Sequence, residues 1–567
     1  MTETTWERAW AWLRHLVSDG ALLPRGRERL PVVFAWFGGL VCLAALVHRF
    51  RYAADLTDES FSMALPYRFV LGDKPFVDEV AIQQTAGLVL FPFIWLFVKL
   101  TGGTTGLVLY VRLVGLFVFK GAAALAVYAT ARRWLKHKSI AVAVSFVPFA
   151  FVPHSIPNVG YNLIGMALLV AGTFLTAAGA AETASQKTRV RLFFLAGLAE
   201  GIMAFAYPPM AVAPLLGVPL VLLFAGPRRW SATGAFIAGG LSAVILISPS
   251  LAFGGIAGVR RALGWGVHAG MTHDGARLDA ILQAYSKGIP TFFVYALVAL
   301  GLAWLLRSRS VIAIVVPAIA VALGFWFRDE FASARGAMHM VMYTGTLGPA
   351  LILLARPSAA VWRGFVLVVV PSLAAALAAA FMSTQGVDAS ALGFASTVAL
   401  FALLAARALE GAHADPTYCM LPAFALMLVL VTCCYDFVYR DGPLPSLTQT
   451  VPNGPFKGIR TTPDRAQAFA EMHDIAARFD QPHGRILFLY EASGYYLFSK
   501  MKPNAHSVWQ EWYGDQDGLL AYWQSHVKGR GIVVKIKGSA AGRIDPILTP
   551  PERKIYETRH FIVYADH

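Results

Sequence analysis

Charge, and acid above all, is what this sequence has least of. Of its 567 residues only 14% are charged, and 33 Asp or Glu face 48 Lys or Arg, for a formal net charge of +15. So little charge excludes an ordinary water-facing globular surface, because 57% of the residues are hydrophobic and mean hydropathy is positive. Cysteine is nearly absent too. Cys42, Cys419, Cys433 and Cys434 fall in or beside apolar segments, which excludes a disulfide framework and zinc-ligand spacing and reads as small buried hydrophobes. No apolar core of a cleavable leader precedes Pro31, and there is no internal repeat or low-complexity tract.

What is present is a succession of apolar runs of about twenty residues, the length that crosses a hydrocarbon core. They begin near Pro31, Ala86, Gly106, Ser139, Tyr161, Leu192, Pro209, Ala232, Pro290, Val311, Ala337, Gly364, Ala391 and Thr417. The positive excess sits in short clusters between them, where membrane topology and anionic headgroups account for it, so nucleic acid is not an expected partner. If every run crosses, the cluster Arg132 to Lys138 falls opposite the basic N-terminal tail. Laying Ala86–Leu100 in the outer interface instead brings the basic loops at 132–138, 187–191, 228–229, 307–309, 356–363 and 407 to the inner side. The expectation is therefore about thirteen crossings. Residues 1–30 precede them as an inner segment with Trp6, Trp10, Leu13 and Val17 at helical spacing, as in an amphipathic surface helix.

The membrane part spans 31–438, and 439–567 differs in character. "GRILFLYEASGYYLFSK" reads as strand, turn and helix, "GIVVKIKG" as a buried strand, and "KIYETRHFIVYAD" as an antiparallel pair. The fold class expected is mainly α, polytopic, with a C-terminal external α/β domain. "RDGPLPSLTQTVPNGPFKG" links the two parts.

Against this scarcity of acid, the outer loop 49–105 carries Asp55, Asp58, Glu59, Asp78 and Glu79 in two tight clusters. Group transfer to a hydroxyl needs a base for the acceptor proton and a cation for a departing anion. Asp58, flanked by Asp55 and Glu59 near lipid, has the neighbours that raise proton affinity. Asp78 and Glu79, with an external His268 or His273, make a candidate divalent-metal set. Cations on the outer side are Arg260 and Arg261, then Arg335 and His339 at the mouth of a later crossing; they suit a donor phosphate or lipid headgroups. Tyr161 and Asn162 open another crossing and are candidates to line a sugar pocket, or belt residues.

An Asp-Glu pair just after the first membrane helix, "MALPYRFVLGDKPFVDE", an apolar stretch ending in Gly, and Arg112-Leu113 opening the next helix resemble the GT-C superfamily. Within it, the order is similar to bacterial relatives of protein O-mannosyltransferases and lipid A aminoarabinose transferases. The resemblance implies a polyprenyl-phosphate sugar donor, an envelope glycan, lipid or protein acceptor, and a bacterial inner membrane with the C-terminal domain outside. It also implies Asp58 as the catalytic base beside Glu59. Two features depart from the pattern: Gln83-Gln84-Thr85-Ala86-Gly87 replaces a Lys-Pro-Pro, and loop 153–158 holds no acid. The reading is a membrane glycosyltransferase. Its rivals are a transporter of lipid-linked sugar or small solute, which would keep its ionisable groups near the midplane, and a non-catalytic sugar-lipid binding protein.

Overall fold

A computed structural model describes residues 29–157, 159–181, 185–226, 228–271, 334–347, 352, 357–383, 385–489, 493–509, 516–526, 531–539 and 542–566, without the side chains of 265–271, 334–336 and 347. The amphipathic N-terminal segment and the apolar runs at Pro290 and Val311 lie outside these residues. Every other apolar run is helical: α1 Arg29–Arg49, α2 Asp58–Val70, α3 Gln84–Thr101, α4 Leu107–Trp134, α5 Lys138–Ala150, α6 Tyr161–Ala180, α7 Gln186–Ala206, α8 Pro208–Phe224, α9 Arg229–Leu251, α10 Gly255–Met271, α11 Ala334–Leu347, α12 Ala359–Met382, α13 Gly386–Gly411 and α14 Pro416–Asp436. Among the described residues, eight of them (α1, α3, α4, α6, α9, α12, α13 and α14) are long and apolar enough to span a membrane, with α5 and α8 as shorter apolar helices. The chain is a multi-pass membrane protein.

Buried cations tie these helices together by filling carbonyls that a helix terminus leaves without partners. Arg49, at the end of α1, donates from Nε to the Cys434 carbonyl at 2.7 Å and from Nη2 to the Phe437 carbonyl at 3.1 Å, clasping α1 to the end of α14. Lys120, in a π-helical turn of α4 over Gly115–Lys120, donates to the carbonyls of Phe149 at 3.0 Å and Phe151 at 2.7 Å, where α5 ends. All four cysteines are free and buried.

The C-terminal domain has a short antiparallel pair, β1 Gln449–Thr450 and β2 Arg460–Thr461, and a five-stranded sheet in the order β4-β3-β5-β7-β6, formed by β3 Arg485–Leu489, β4 Lys502–Pro503, β5 Gly531–Ile536, β6 Lys554–Glu557 and β7 Phe561–Ala565. β3 runs parallel to β4 and β5; β7 is antiparallel to β5 and β6. Helix α15 (Pro463–Phe479) precedes the sheet and α16 (Gln516–His526) lies between β4 and β5. After β3 the sequence pattern suggests an α-helix, but Ser493–Phe498 is a 3-10 turn. Gly494 abuts α2 and the chain just before it, and a Cβ there would lie 2.6 Å from Leu56 Cδ2 and 2.8 Å from Ser60 Oγ.

Helix α2 is buried on all sides between the membrane helices and this domain. Tyr67 donates to the Ser499 carbonyl at 3.0 Å, Phe61 meets Trp509 edge-on at 4.2 Å, and the Gly494 amide donates to the Leu56 carbonyl at 2.9 Å. Helix α3 touches the same domain at both ends. Before it, the Val80 amide donates to the His506 carbonyl at 3.0 Å; after it, Thr104 Oγ1 donates to the Leu497 carbonyl at 2.8 Å and the Gly106 amide to Gly454 at 3.0 Å. Eighteen residues make a rod of ~27 Å. A rod whose two ends meet one small domain lies along that domain, although its length and composition would allow it to cross.

This clamp gives a direct expectation. Gly494→Leu forces a branched side chain into the α2 contact and should destabilise the docked domain by about 1–3 kcal/mol. Faster proteolytic release of the C-terminal domain in the variant checks this; unchanged cleavage would show that the contact has slack.

Candidate functional site

The five acids of loop 49–105 read as two clusters in sequence, and the fold gives each a separate job. Asp55 is buried and caps α2: Oδ1 accepts from the Thr57 amide at 2.9 Å and its hydroxyl at 2.6 Å, and Oδ2 accepts from the Glu59 amide at 2.8 Å. That supplies acceptors for the first-turn amides and leaves negative charge at the helix start, which the helix dipole favours.

Glu59, paired with Asp58 in the sequence reading, is buried. Its two oxygens accept from Arg112 Nε and Nη2, each at 2.6 Å, and both side chains are 1% exposed. Arg112 also donates to the carbonyls of Phe50, Tyr52 (3.2 Å) and Ala53 (2.7 Å). Burial pushes the Glu59 carboxyl up and the Arg112 guanidinium opposes it. Both carboxylate oxygens of Glu59 are engaged by Arg112, which joins α2 to α4.

The second cluster separates in the same way. Glu79 is fully buried: Oε2 accepts from Arg68 Nη1 at 2.8 Å and from the Val508 amide at 3.3 Å, and Oε1 accepts from the Ala81 amide at 2.9 Å. Arg68 also binds Asp73 and the Ala505 carbonyl. Burial works against the Arg68 charge, but Asp73 and Glu79 outweigh it and push the guanidinium up. Asp78 accepts from the Lys74 amide at 2.7 Å and from the Tyr522 hydroxyl at 3.2 Å; burial pushes that hydroxyl up to about 12, so it stays a donor. His268 and His273 lie outside the described side chains, and among the described residues no group of three or more His, Cys, Asp or Glu that could hold a metal is found.

Asp58 lines a small cavity together with Ser62, Pro153, Ile156, Gly160, Tyr161, Asn162, Leu163 and Gln385. The structure thus brings three residues singled out in the sequence, Asp58, Tyr161 and Asn162, to one place. Tyr161 is stacked on Tyr207, with ring centroids 5.6 Å apart and planes within 13°. The lining combines the polar side chains of Asp58, Ser62, Asn162 and Gln385 with one aromatic ring, Tyr161.

Two groups at Asp58 come from the start of the interdomain linker, and sequence reasoning missed both. Tyr439 Oη donates to Asp58 Oδ2 at 2.5 Å, and Arg440 Nη1 lies 3.7 Å from the same oxygen while donating to Thr57 Oγ1 at 2.7 Å. Burial, then the Asp58 charge, pushes the Tyr439 hydroxyl well above the ordinary phenol range, which keeps it a proton donor. Only the Tyr-Arg dipeptide directly after the last apolar run hinted at them.

The remaining cations are dispersed. Arg260 and Arg261 are exposed on α10; Arg261 donates to the Phe76 carbonyl at 3.3 Å, and neither lines the Asp58 cavity. The Arg335 side chain is outside the described residues. His339 pairs through Nε2 with Asp388 Oδ1 at 2.8 Å. Asp388 is an acid that the sequence reading passed over, three residues after the cavity residue Gln385 in an otherwise uncharged loop. His154 lies within its electrostatic reach, on left-handed backbone (φ 54°), and burial pushes its imidazole down to about 4, so it is neutral near pH 7.

No protein-family model and no curated protein matches the sequence. Among solved structures, the chain is similar to the Archaeoglobus fulgidus oligosaccharyltransferase, crystallised with Zn and sulfate. The match has 13% identity and a TM-score of 0.42, and covers 88% of this chain and 68% of that one. At that identity and TM-score the similarity assigns no residue a role.

Proposed function

We propose that this protein is a membrane glycosyltransferase that moves a sugar from a polyprenyl-phosphate donor to a hydroxyl of an envelope glycan, lipid or protein, with Asp58 as general base. The observation that carries it is a carboxylate at the wall of a cavity lined by polar side chains and one aromatic ring, with a guanidinium 3.7 Å away. Asp58 takes the acceptor hydroxyl proton as the oxygen bonds to the anomeric carbon. The anomeric C–O bond to phosphate breaks, and its electron pair leaves with the polyprenyl phosphate.

Among the described cavity residues Asp58 is the one carboxylate, which suits a single displacement with inversion. Tyr161 and Asn162 are proposed to bind the sugar. Arg260, Arg261, Arg335 and His339 are proposed phosphate contacts, and Arg440 joins them as a cation already beside the base. The external placement of the C-terminal domain, in a bacterial inner membrane, belongs to the same proposal.

The test is transfer of labelled sugar from a polyprenyl-phosphate sugar to an extracted envelope acceptor by the purified protein in liposomes. A covalently labelled acceptor is expected. Movement of intact donor across the bilayer with no labelled acceptor would establish the transporter reading instead.

A further inference from the structure

Asp58 belongs to the membrane part, but the groups that hold it belong to the segment leading to the C-terminal domain. That segment is itself closely tied. The Phe437 carbonyl accepts from Arg49, and Asp441 Oδ2 accepts from the Ala54 amide at 2.8 Å and Thr461 Oγ1 at 2.7 Å. Arg465, in the first turn of α15, donates to the carbonyls of Ala54 and Arg440 and lies 3.6 Å from Asp441. Arg440 has φ 49°, a left-handed conformation that a non-glycine residue keeps only when its surroundings over-determine it. Residues 437–441 are thus pinned between the outer end of α1, the chain before α2 and the start of α15.

We propose that Tyr439 and Arg440 are positioning residues that hold Asp58 oriented and ionised, so that the base is competent only while the C-terminal domain is docked. The inference rests on the reading of Asp58 as a base. A hydroxyl donating to a carboxylate and a guanidinium near it both favour the charged form. Opposing them are Asp55 and Glu59 on the same turn, the second already paired with Arg112. The other side chains facing Asp58 across the cavity, Tyr161, Asn162, Ser62 and Gln385, carry no charge near neutral pH. Tyr439 and Arg440 therefore set the pH at which Asp58 accepts a proton, and the docked domain sets where they sit. A domain held by Gly494, Tyr67 and Trp509 against α2 becomes a condition for activity.

Two measurements on the full-length protein test this. In the transfer assay, Tyr439→Phe removes the donor and should raise the proton affinity of Asp58. The acidic limb of the kcat profile should then move to higher pH by about one unit, with the KM for donor little changed. Arg440→Gln should move it the same way, and Arg440→Lys should restore most of it. Independently of transfer, a hydrophobic carbodiimide reacts with protonated carboxyl groups, so labelling of Asp58 read by mass spectrometry reports its titration directly. Its midpoint should rise in Tyr439→Phe. If the labelling midpoint and the kcat limb both stay where they are in wild type, Tyr439 is only a structural contact and the proposal is overturned. If the labelling midpoint moves but wild-type protein transfers no sugar, the positioning role stands and the glycosyltransferase reading is what fails.

Discussion

Sugar transfer by the Asp58→Asn protein is expected to fall by about 10² to 10⁴, the contribution of a positioned general base, while donor binding persists. Asparagine keeps the shape of the side chain and an oxygen that accepts from Tyr439, so the 2.5 Å contact and the cavity wall survive. What is lost is the capacity to take the acceptor proton. Transfer rates and donor binding measured on the same preparations separate the two. Near-normal turnover would remove Asp58 from the mechanism. Loss of donor binding with loss of turnover would make it a binding group.

The second large effect concerns stability. Arg112→Met leaves Glu59 buried without its partner and should cost about 3–5 kcal/mol, because an uncompensated charge in a dry interior is far worse than no charge. Glu59→Gln should also destabilise, by stranding the guanidinium that binds the carbonyls of Phe50, Tyr52 and Ala53. The double change Arg112→Met with Glu59→Gln should recover a good part of the loss. Thermal unfolding in detergent checks the series. A double variant no more stable than Arg112→Met alone would show that the carbonyl contacts of Arg112, and not its charge pairing, carry the stability.

The contrast between Asp58 and Glu59 shows how the fold reassigns neighbours. Adjacent positions at a helix start project about 100° apart, so one carboxylate reaches the cavity while the next turns into the contact with α4. Resemblance to an acidic pair marks both positions and cannot divide the roles. Asp78 and Glu79 part in the same way, one bonded near the surface to Lys74 and Tyr522, the other enclosed with Arg68.

The sequence by itself determined that the apolar runs with described residues are helical, that the cysteines are free and buried, and where the β3, β5 and β6–β7 strands of the C-terminal domain lie. These follow from hydrophobic period, composition and local propensity, which act over a few turns of chain. The tertiary structure alone decided that Tyr439 and Arg440 meet Asp58 across a separation of more than 380 residues, that Gln385 and Tyr161 share its cavity, and that Arg112 claims Glu59. Such contacts depend on which helix ends are packed side by side. No local pattern encodes that, because a tyrosine or an arginine after an apolar run looks the same whether it faces water or a carboxylate.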